Sequence, residues 1–416
     1  MTQELFQLAL NITNPWFVSD LKFNAESKKL DVYIDFKKGS TFDYVDLKNN
    51  NETIPNLKAY DTKNKTWRHL NFFEHECYLH ARVPRVKLPN GKVKLIKTPW
   101  EGLSNGFTLL FEALLLQLCQ AMPIEKVAKI VKTSDDKLWS MLDKYINTTR
   151  EHEDFKDIEA IGLDETSRAK GHEYITLFVD LKKRRTIFIT EGKDNTTVKR
   201  FSDDFIEHNG DIKKIKNVSC DMSPAFIKGI KENLPEAQIT FDKFHILKII
   251  NEAVNTVRKQ EASTNNILKG TKYIWLKNYN NLTKKQKEQL NELTMSKMNI
   301  KTIRAYNIKQ SFQDIYQANT QEEFIAYLKK WYCWAIRSRL EPIVKAARTI
   351  KKHWDGIIKW YESKINNGIL EGLNSVIQAA KSKARGYKTF KNYKIIAYLL
   401  TGKLDFSLVN NGFRNN

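Results

Sequence analysis

The sequence predicts an α+β protein of several domains, and three observations support this prediction. Strand-like alternation of apolar and polar residues dominates residues 1–100, helical periodicity begins at Phe107, and residues 151–250 mix both patterns. A helical and basic block, residues 251–362, follows the mixed region and is expected to be an insertion within it. At 416 residues the chain is long enough for two or three domains, each with an apolar core.

The composition is basic and predicts a polyanionic partner. The formal net charge is +21 and the isoelectric point is near 9.5, which favours nucleic acid over a membrane surface. A ribosomal protein, or one that is merely rich in lysine, is the alternative on charge alone. The hydrophobic fraction of 41% excludes a disordered chain. The longest apolar stretch, Phe107–Cys119, is too short and too polar to span a bilayer.

The cysteines and the N-terminus indicate a reducing setting. The four cysteines lie far apart and include no Cys-x-x-Cys pair, which argues against a disulfide framework and a cysteine-rich zinc site. The first residues contain neither a basic segment nor a cleavage-like site. We therefore expect a cytosolic protein.

Residues 1–100 are expected to form a small head of mostly β structure. Lys28–Phe36 alternates apolar and polar residues as a half-buried strand does, and Thr66–Leu70 and Cys77–Val83 are predicted to be further strands. The histidines of this region could be metal ligands in principle. We interpret them as structural or exposed, because no cysteine pair accompanies them.

Residues 101–150 are expected to form a helix-turn-helix. The predicted helices are Phe107–Cys119, Pro123–Val131 and Asp135–Ile146. Pro123 suits a first helical position, Thr133 or Ser134 can cap the last helix, and Lys132 stands where the turn usually has glycine. An ordinary helical hairpin is the alternative. The residues expected on the exposed face of the last helix are Asp136, Lys137, Ser140 and Lys144.

Two apolar strands of the mixed region are predicted to end on acidic residues. Ile158–Glu165 is interpreted as a short buried strand that stops at Asp164 and Glu165, with a polar turn after it. Ile215–Asp221 repeats the pattern and closes on an aspartate. A carboxylate at a strand end is held by the sheet and opens onto its edge, where a rigid scaffold can present a metal ligand.

The order of elements in residues 151–250 is typical of a ribonuclease-H-like sheet. After the first strand, the sequence predicts two antiparallel strands, a helix, the strand that closes on Asp221, a second helix and a last strand. The segments are Glu173–Leu181, Arg185–Thr190, Thr197–His208, Ile215–Asp221, the helix that starts at Ser223-Pro224, and Gln238–Phe241.

A late helix, Asn366–Arg385, carries a single acid on its polar face. An apolar stripe covers one side, the opposite arc holds Glu371 as its only acid, and Gly386 is expected to end the helix. Amides and cations follow Glu371, which suits a helix laid across a metal and then along a phosphate backbone. The residues predicted to contact DNA here are Gln378, Lys381, Lys383, Arg385 and Lys388. From this helix alone, a surface helix with one acid is the better interpretation.

Taken together, Asp164, Asp221 and Glu371 predict a catalytic metal site. Three hard oxygen ligands favour Mg²⁺ or Mn²⁺ over metals that prefer imidazole or thiolate. A site with two ions needs a bridging carboxylate, for which Asp164 is the candidate, and one further carboxylate on each ion. Such a site would activate a water or a 3′-hydroxyl for in-line attack on a phosphate. Glu165 is the weaker alternate, because it is expected to face the other side of its strand.

Several short motifs occur together along the chain. They are Ile161–Thr166, Ser219–Pro224, Phe241–His245, Asn367–Asn374 and Ala384–Tyr387, with Trp67–Leu70 and His80–Arg85 in the head. In combination they resemble the DDE transposases of insertion sequences of the ISL3 type. The resemblance implies a ribonuclease-H-like catalytic domain, interrupted by the insertion 251–362 and closed by residues 363–416. It implies that Asp164, Asp221 and Glu371 form the catalytic triad.

The resemblance also includes an Asp-x-x-His signature, formed here by Asp242 and His245. It implies an active-site supporting role for this pair, in which His245 could contact the scissile phosphate. A structural histidine is the alternative. The pattern of strand ends alone does not assign Asp242 or His245 to the metal site.

The resemblance implies a DNA transposase that binds the ends of its element, nicks them to free 3′-hydroxyls and joins these to target DNA. Its partners would be double-stranded DNA, as terminal inverted repeats and as target, and a second copy of the chain. It implies a bacterial cytoplasmic protein that associates with the nucleoid on DNA and makes no membrane contact. The alternatives are a non-catalytic DNA-binding regulator on the same fold and a ribonuclease-H-like nuclease that cuts without joining.

The head departs from the family pattern. Members of the family usually carry a zinc-binding head with a Cys-x-x-Cys pair and a further Cys/His pair. Here Tyr44–Leu47 and Leu88–Gly91 stand where such ligands are expected. We therefore expect no structural zinc in this chain and a head held together by apolar packing.

Overall fold

The computed structural model describes residues 2–46, 52–104, 106–169, 173–295, 300–363 and 368–409. The chain forms two compact units, one of Met1–Glu153 with Ala379–Asn416 and one of Asp154–Gln378. It is an α+β protein with N-terminal strands, three helices in the predicted helix-turn-helix region and a helical C-terminal part. Among the described residues, no helix is both long and apolar enough to cross a membrane. Leu47, Asn366 and Asn367, which the sequence motifs include, lie outside the described residues.

The first unit begins with a short helix and a six-stranded sheet. The elements are α1 (Thr2–Ala9), β1 (Trp16–Asn24), β2 (Lys29–Phe36), β3 (Thr41–Asp46), β4 (Glu52–Phe72), β5 (His75–Lys87) and β6 (Val93–Leu95). The strands lie in the order β1-β2-β5-β4-β3, and β6 pairs with β5. Alternate residues of β2, Leu30, Val32 and Ile34, are buried, as its sequence pattern predicts. They belong to an apolar core that includes Trp16 and Trp67.

Three helices follow the sheet, as predicted. They are α2 (Leu109–Ala121), α3 (Ile124–Val131) and α4 (Asp135–Arg150). Val127 of α3 and Leu138 and Met141 of α4 are buried, which is the packing that a helix-turn-helix requires. Pro123 directly precedes α3 instead of occupying its first position. Lys132 follows α3 with a left-handed backbone (φ 52°), the conformation for which glycine is usual at such turns.

The helix α4 continues past the predicted end at Ile146, because its last turn is buried. The guanidinium of Arg150 donates to the hydroxyl of Tyr398 on α15 (Phe390–Thr401). The apolar face of α15 includes Ile396 and Leu399, both buried, and α15 contacts α2 and α4. Residues 379–409 therefore pack with the first unit, whereas the sequence interpretation grouped 363–416 with the α/β region.

The second unit contains a five-stranded sheet with helices in the predicted order. The strands are β7 (Ala160–Ala169), β8 (Glu173–Asp180), β9 (Arg185–Glu191), β10 (Asn217–Cys220) and β11 (Gln238–Phe241). The helices among them are α5 (Thr196–Glu207) and α6 (Pro224–Asn233). The strand order is β11-β10-β7-β8-β9, in which β10 runs parallel to β7 and β11, and β8 is antiparallel to β7 and β9.

The first strand of this sheet is longer than predicted. The sequence interpretation ended it at Asp164 and Glu165, but β7 continues to Ala169. The reason is its antiparallel partner, because Ser167 of β7 still pairs with Tyr174 of β8. Asp164 therefore lies within β7 and not at its end, so that prediction was wrong.

Helices make up the rest of the second unit. They are α7 (Lys243–Ala262), α8 (Lys272–Leu276), α9 (Lys284–Met295), α10 (Lys301–Ile315), α11 (Gln321–Ile336), α12 (Glu341–Lys352), α13 (Trp354–Ser363) and α14 (Gly368–Lys383), the last of which runs past Gln378 into the first unit. The long helix α7 packs against α10 and α12. The apolar core of the sheet continues into these helices through Ile246, Ile250 and Val254 of α7, so the sheet and the helical block share one core.

Candidate active site

Three aspartates lie level with one another at one edge of the five-stranded sheet. The first residue of β10 pairs in parallel with the first residue of β7 and with the first residue of β11. Asp164, Asp221 and Asp242 each come four residues after these starting positions. Asp221 and Asp242 directly follow the last residues of β10 and β11, as predicted for Asp221. The register of the parallel strands thus brings three carboxylates to one row.

Backbone amides hold two members of this aspartate row. One oxygen of Asp221 accepts a hydrogen bond from the amide of Ser223 (3.0 Å). One oxygen of Asp242 accepts from the amide of Phe244 (2.9 Å) and so caps the N-terminus of α7. In addition, the amide of Asp242 donates to the carbonyl of Cys220 (3.0 Å). These bonds fix the chain where it leaves β10 and β11.

His245 supplies positive charge beside the row. Its Nδ1 lies 3.1 Å from Oδ2 of Asp242, one turn earlier on α7. The hydrogen bond with Asp242 raises the pKa of His245, and the negative charges of Asp242, Asp164 and Asp221 raise it further, although burial acts in the opposite direction. The imidazole is therefore biased toward its protonated, cationic form.

Asp164 is a partly buried carboxyl surrounded by more negative than positive charge. Burial raises its pKa from 3.8 to about 6, and the charges of Asp221 and Asp242 act in the same direction. The positive charge of His245 and a hydrogen bond from the amide of Glu165 only partly oppose this rise. A carboxyl with a raised pKa beside two other aspartates is the electrostatic pattern of a site that favours an added cation.

The helix α14 lies along β7 and contacts it at regular intervals. The amide of Asn374 donates to Oδ2 of Asp164 (2.6 Å), and the amide of Gln378 donates to the hydroxyl of Thr166 (2.8 Å). One turn before Asn374, Leu370 packs against Gly162. Four residues of a helix rise about 6.0 Å, and two residues of a strand rise about 6.6 Å. Every fourth residue of α14 can therefore contact every second residue of β7.

Glu371 occupies the first turn of α14 and its side chain is exposed. Residues three apart are neighbours on a helix surface, so Glu371 lies beside Asn374, the residue that contacts Asp164. Within the described parts of the chain, no three His, Cys, Asp or Glu side chains are grouped closely enough to hold a metal ion. The structure thus brings together Asp164, Asp221 and Asp242, and places Glu371 on the adjoining helix.

The donor set nevertheless fits a hard divalent cation. Its members are carboxylate oxygens, which Mg²⁺ and Mn²⁺ prefer. Burial is the main cause of the raised pKa of Asp164, and the neighbouring negative charges of Asp221 and Asp242 add to it, so a cation bound here would favour the ionised carboxylate. Oδ1 of Asn374 is a buried acceptor without a hydrogen-bond partner among the described residues, so one more oxygen in this region is unsatisfied.

Two residues of the site were not identified from the sequence. Asn374 and Gly162 belong to motifs of the family resemblance, but Asn374 was given no role beyond the polar face of its helix and Gly162 none beyond an apolar strand. The signal that could have found Asn374 is its four-residue spacing from Leu370 and Gln378 along one helix face. Gln378 was predicted to contact DNA, but its amide bonds to Thr166 and so has a role within the chain.

The first unit carries exposed polar and charged side chains on α4, and exposed cations at the end of α14 and in the segment that follows it. Lys137 and Ser140 are exposed as predicted, whereas the ammonium of Lys144 donates to the carbonyl of Leu103. The rings of Trp139 on α4 and Tyr387 meet edge to face with centroids 6.2 Å apart. The predicted DNA contacts on this segment that are exposed are Lys383, Arg385 and Lys388. The contact of Trp139 with Tyr387 places the segment that follows α14 next to α4.

Comparison with known proteins gives consistent results. Residues 161–397 match the ISL3-type DDE family model, described as a transposase, and residues 104–146 match the helix-turn-helix domain of transposase family ISL3. The chain is 25% identical over 342 residues to the transposase for insertion sequence element IS1001 of Bordetella parapertussis, which covers 80% of this chain and 83% of that protein. It is 24% identical over 354 residues to the transposase for insertion sequence element IS1557 of Mycobacterium tuberculosis, with coverage of 78% and 79%. The match to the transposase family model, over residues 161–397, includes the aspartate row and Glu371.

We predict that Gly162→Ala destabilises the second unit by about 1–3 kcal/mol, because overpacking strains a closely packed core. A Cβ at this position would lie 2.8 Å from Cδ1 of Leu370. Urea denaturation measures the change. The double variant Gly162→Ala/Leu370→Ala should lose less stability than the sum of its single changes. The control is Gly372→Ala on the same helix, where a Cβ meets nothing within 4 Å. Additive losses in the double variant would contradict the contact.

We predict that Asp164→Asn stabilises the metal-free protein at neutral pH. The pKa of Asp164 is raised from 3.8 to about 6 in the folded chain. Ionisation of this carboxyl therefore destabilises the folded state, and the destabilisation is complete above about pH 6. Below about pH 4 it is absent, because the carboxyl is protonated in both the folded and the unfolded state. The gain should reach up to about 3 kcal/mol and vanish in acid. Denaturation with a chelator present measures it, with Asp203→Asn, at an exposed position, as the control. A gain independent of pH would contradict the assignment.

Proposed function

The chain belongs to the ISL3 family of transposases, and from this premise we propose that it binds the ends of an insertion sequence and cuts and joins DNA at the aspartate row. The observation that carries the proposal is the row itself, Asp164 beside Asp221, with Glu371 on the helix that contacts Asp164. A helix-turn-helix on the same chain supplies the means of binding DNA.

We assign the second unit to the ribonuclease-H-like class of folds. Three antiparallel strands are followed by two parallel strands, each preceded by a helix, and β10 and β11 add to the β7 side of the sheet. Helices α7–α13 would be the insertion that separates this sheet from α14. The acids then come from β7, from the ends of β10 and β11, and from the closing helix.

The proposed catalytic acids are Asp164, Asp221 and Glu371. When bound, Mg²⁺ or Mn²⁺ would supply positive charge for the attacking and leaving oxygens of a phosphate displacement. Asp164 suits the bridging role for two reasons. Its strand, β7, pairs with β10, which ends next to Asp221, and Asn374 of α14 donates a hydrogen bond to Asp164. Asp221 and Glu371 would complete the ligands, and Glu371 must approach the row for this to happen.

Asn374 and His245 are proposed to support the acids. The amide of Asn374 donates to one oxygen of Asp164 and would thereby fix the orientation of the carboxylate. His245, whose pKa is raised by its contact with Asp242, lies on the Asp242 side of the row and, when protonated, would offer a proton donor to a phosphate oxygen. This contact would hold the DNA backbone in place during the displacement.

The first unit is proposed to bind the element ends through α4 and the basic segment beside it. Lys137 and Ser140 would enter the major groove, and Lys383, Arg385 and Lys388 would contact phosphates, which position a protein without reading sequence. Transposition requires two ends in one complex, so we propose a dimer on paired ends.

The second candidate function is DNA binding without catalysis. The observation that favours it is the exposed position of Glu371, outside any group of three ligands in the described residues. A nuclease that cuts without joining is a third possibility on the same acids. The difference between the three lies in whether the chain cuts element ends and whether it joins pre-cut ends to a target.

We predict that Asp164→Asn and Glu371→Gln each reduce cleavage of the element ends by about a thousandfold or more, because each removes a charged ligand of the metal ions that would act on the reacting phosphate. End binding should change by less than about threefold, since neither carboxylate would hold the helix-turn-helix on DNA. The assay uses Mg²⁺ and DNA from either side of the gene, and Asp203→Asn is the control. Unchanged cleavage by either variant would remove that acid from the mechanism. Cleavage without joining of pre-cut ends would indicate a nuclease.

We predict that the double variant Lys383→Ala/Arg385→Ala weakens the salt dependence of end binding. Each lost phosphate contact should reduce the slope of log K against log salt by about one. Fluorescence anisotropy across a range of salt concentrations measures the slope. The matched control is Lys199→Ala, an exposed lysine on α5. A slope equal to that of the unchanged protein would exclude these two residues from the DNA interface.

A further inference from the structure

A cavity of about 750 Å³ opens beside the aspartate row, on the far side of the first turn of α7. Its walls come from the first turn of α7, the end of α10, residues 278–280 and Trp360 of α13. Asp242 caps α7, and the two residues that follow it, Lys243 and Phe244, line the cavity. The cavity and the aspartate row therefore share one short segment of chain.

Aromatic rings form much of the lining. Tyr316 and Trp360 meet at 84° with ring centroids 4.7 Å apart. Phe244 and Tyr279 are 47% and 45% exposed, although large rings of this kind gain from burial. Both belong to the lining, so two ring surfaces are presented to whatever enters the cavity.

The rest of the lining is mostly polar and contains one cation, Lys243, and one acid, Asp314. Side-chain amides from Asn278, Asn280, Gln310, Gln313 and Gln317 provide both donors and acceptors. The ammonium of Lys243 lies 4.2 Å from the centre of the Tyr316 ring, and burial lowers the pKa of Lys243. The hydroxyl of Tyr316 is buried and has no hydrogen-bond partner among the described residues. A buried hydroxyl without a partner costs stability, which a ligand with a polar edge could recover.

This chemistry selects one class of ligand. A purely apolar ligand or an apolar peptide side chain is disfavoured, because Leu247 is the single aliphatic residue of the lining. A nucleobase has flat faces for the exposed rings and a polar edge for the amides, and its phosphate suits Lys243. Enzymes that act on DNA often extrude a nucleotide into such a pocket, and the cavity size lies within the usual range for small ligands.

The geometry points to this cavity as the receptor for one unstacked nucleotide of the DNA end, next to the phosphate held at the aspartate row. This inference rests on the proposed function, because it takes the DNA from it. Phe244 and Tyr279 stack on the base, the amides contact its edge, and Lys243 pairs with its phosphate. The cost of extruding the nucleotide is offset by these contacts only at the element end, so the cavity adds selectivity to the cutting step.

The test combines removal of the base with removal of the ring. Binding is measured without divalent metal, to keep the DNA whole, on end duplexes that carry an abasic site at each position around the cleavage point in turn. The proteins are the unchanged chain, Phe244→Ala, Tyr279→Ala and the control Tyr273→Ala, whose ring is 59% exposed on α8 and lies outside the cavity lining.

Phe244→Ala and Tyr279→Ala should each weaken binding of the intact duplex by about tenfold, the usual effect of losing one base–aromatic stack. When the abasic site stands at the position of the extruded base, Phe244→Ala, Tyr279→Ala and the unchanged chain should all bind the duplex with the same affinity, because no base is left to stack. This position should be the same for both variants. Tyr273→Ala should bind every duplex as the unchanged chain does.

Equal weakening on intact and on all abasic duplexes, or no weakening at all, would overturn the inference. That failure is distinguishable from failure of the proposed function. In the latter case the unchanged chain would show no preference for end DNA over a scrambled duplex of the same length. Because Phe244 and Tyr279 lie on separate segments and are half exposed, a shared position cannot come from local unfolding of one element.

Discussion

The arrangement of the site depends on the close packing of α14 along β7. Leu370 rests on the bare backbone of Gly162, and this contact sets how near the polar face of the helix comes to the strand. The matched advance of helix and strand then places Asn374 on Asp164 and Gln378 on Thr166. A Cβ at position 162 would force the side chain of Leu370 to shift, so Gly162 favours the close packing of α14 beside the acids.

The same packing concentrates negative charge in a partly buried place. Asp164, Asp221 and Asp242 are level because three parallel strands are in register, and His245 is the cation nearest to them through its contact with Asp242. A fold does not gain stability from such a row, since each charge disfavours its neighbours. In the proposed function, this unfavourable charge repulsion is the cost of a site that a cation and a phosphate backbone would complete. Asp242 also begins α7 and so connects the row with the aromatic cavity.

Much of the fold was predictable from the sequence, and the failures have physical causes. Periodicity located the strands of the second unit and β2 and β5 of the first, but it missed β1 and β3 and most of β4. The strand that stops before Asp221 was predicted because its apolar run is short and bounded. The end of β7 was predicted wrongly, because Thr166–Arg168 have the composition of a turn. In the structure, pairing with β8 keeps Ser167 in the strand. The contact of Asn374 with Asp164 joins residues 210 positions apart. Helical spacing shows which residues share a face but not what lies opposite that face.

We propose that Asp164, Asp221 and Glu371 hold the same divalent ions when the chain is on DNA. Iron(II) substituted for Mg²⁺ generates hydroxyl radicals that cut the polypeptide close to the metal, so mapping the cuts in the DNA-bound protein tests the claim most directly. We predict cuts near all three acids, which Asp164→Asn abolishes. Cuts confined to the neighbourhood of the two aspartates, with none near Glu371, or cuts elsewhere in the chain, would contradict the assignment.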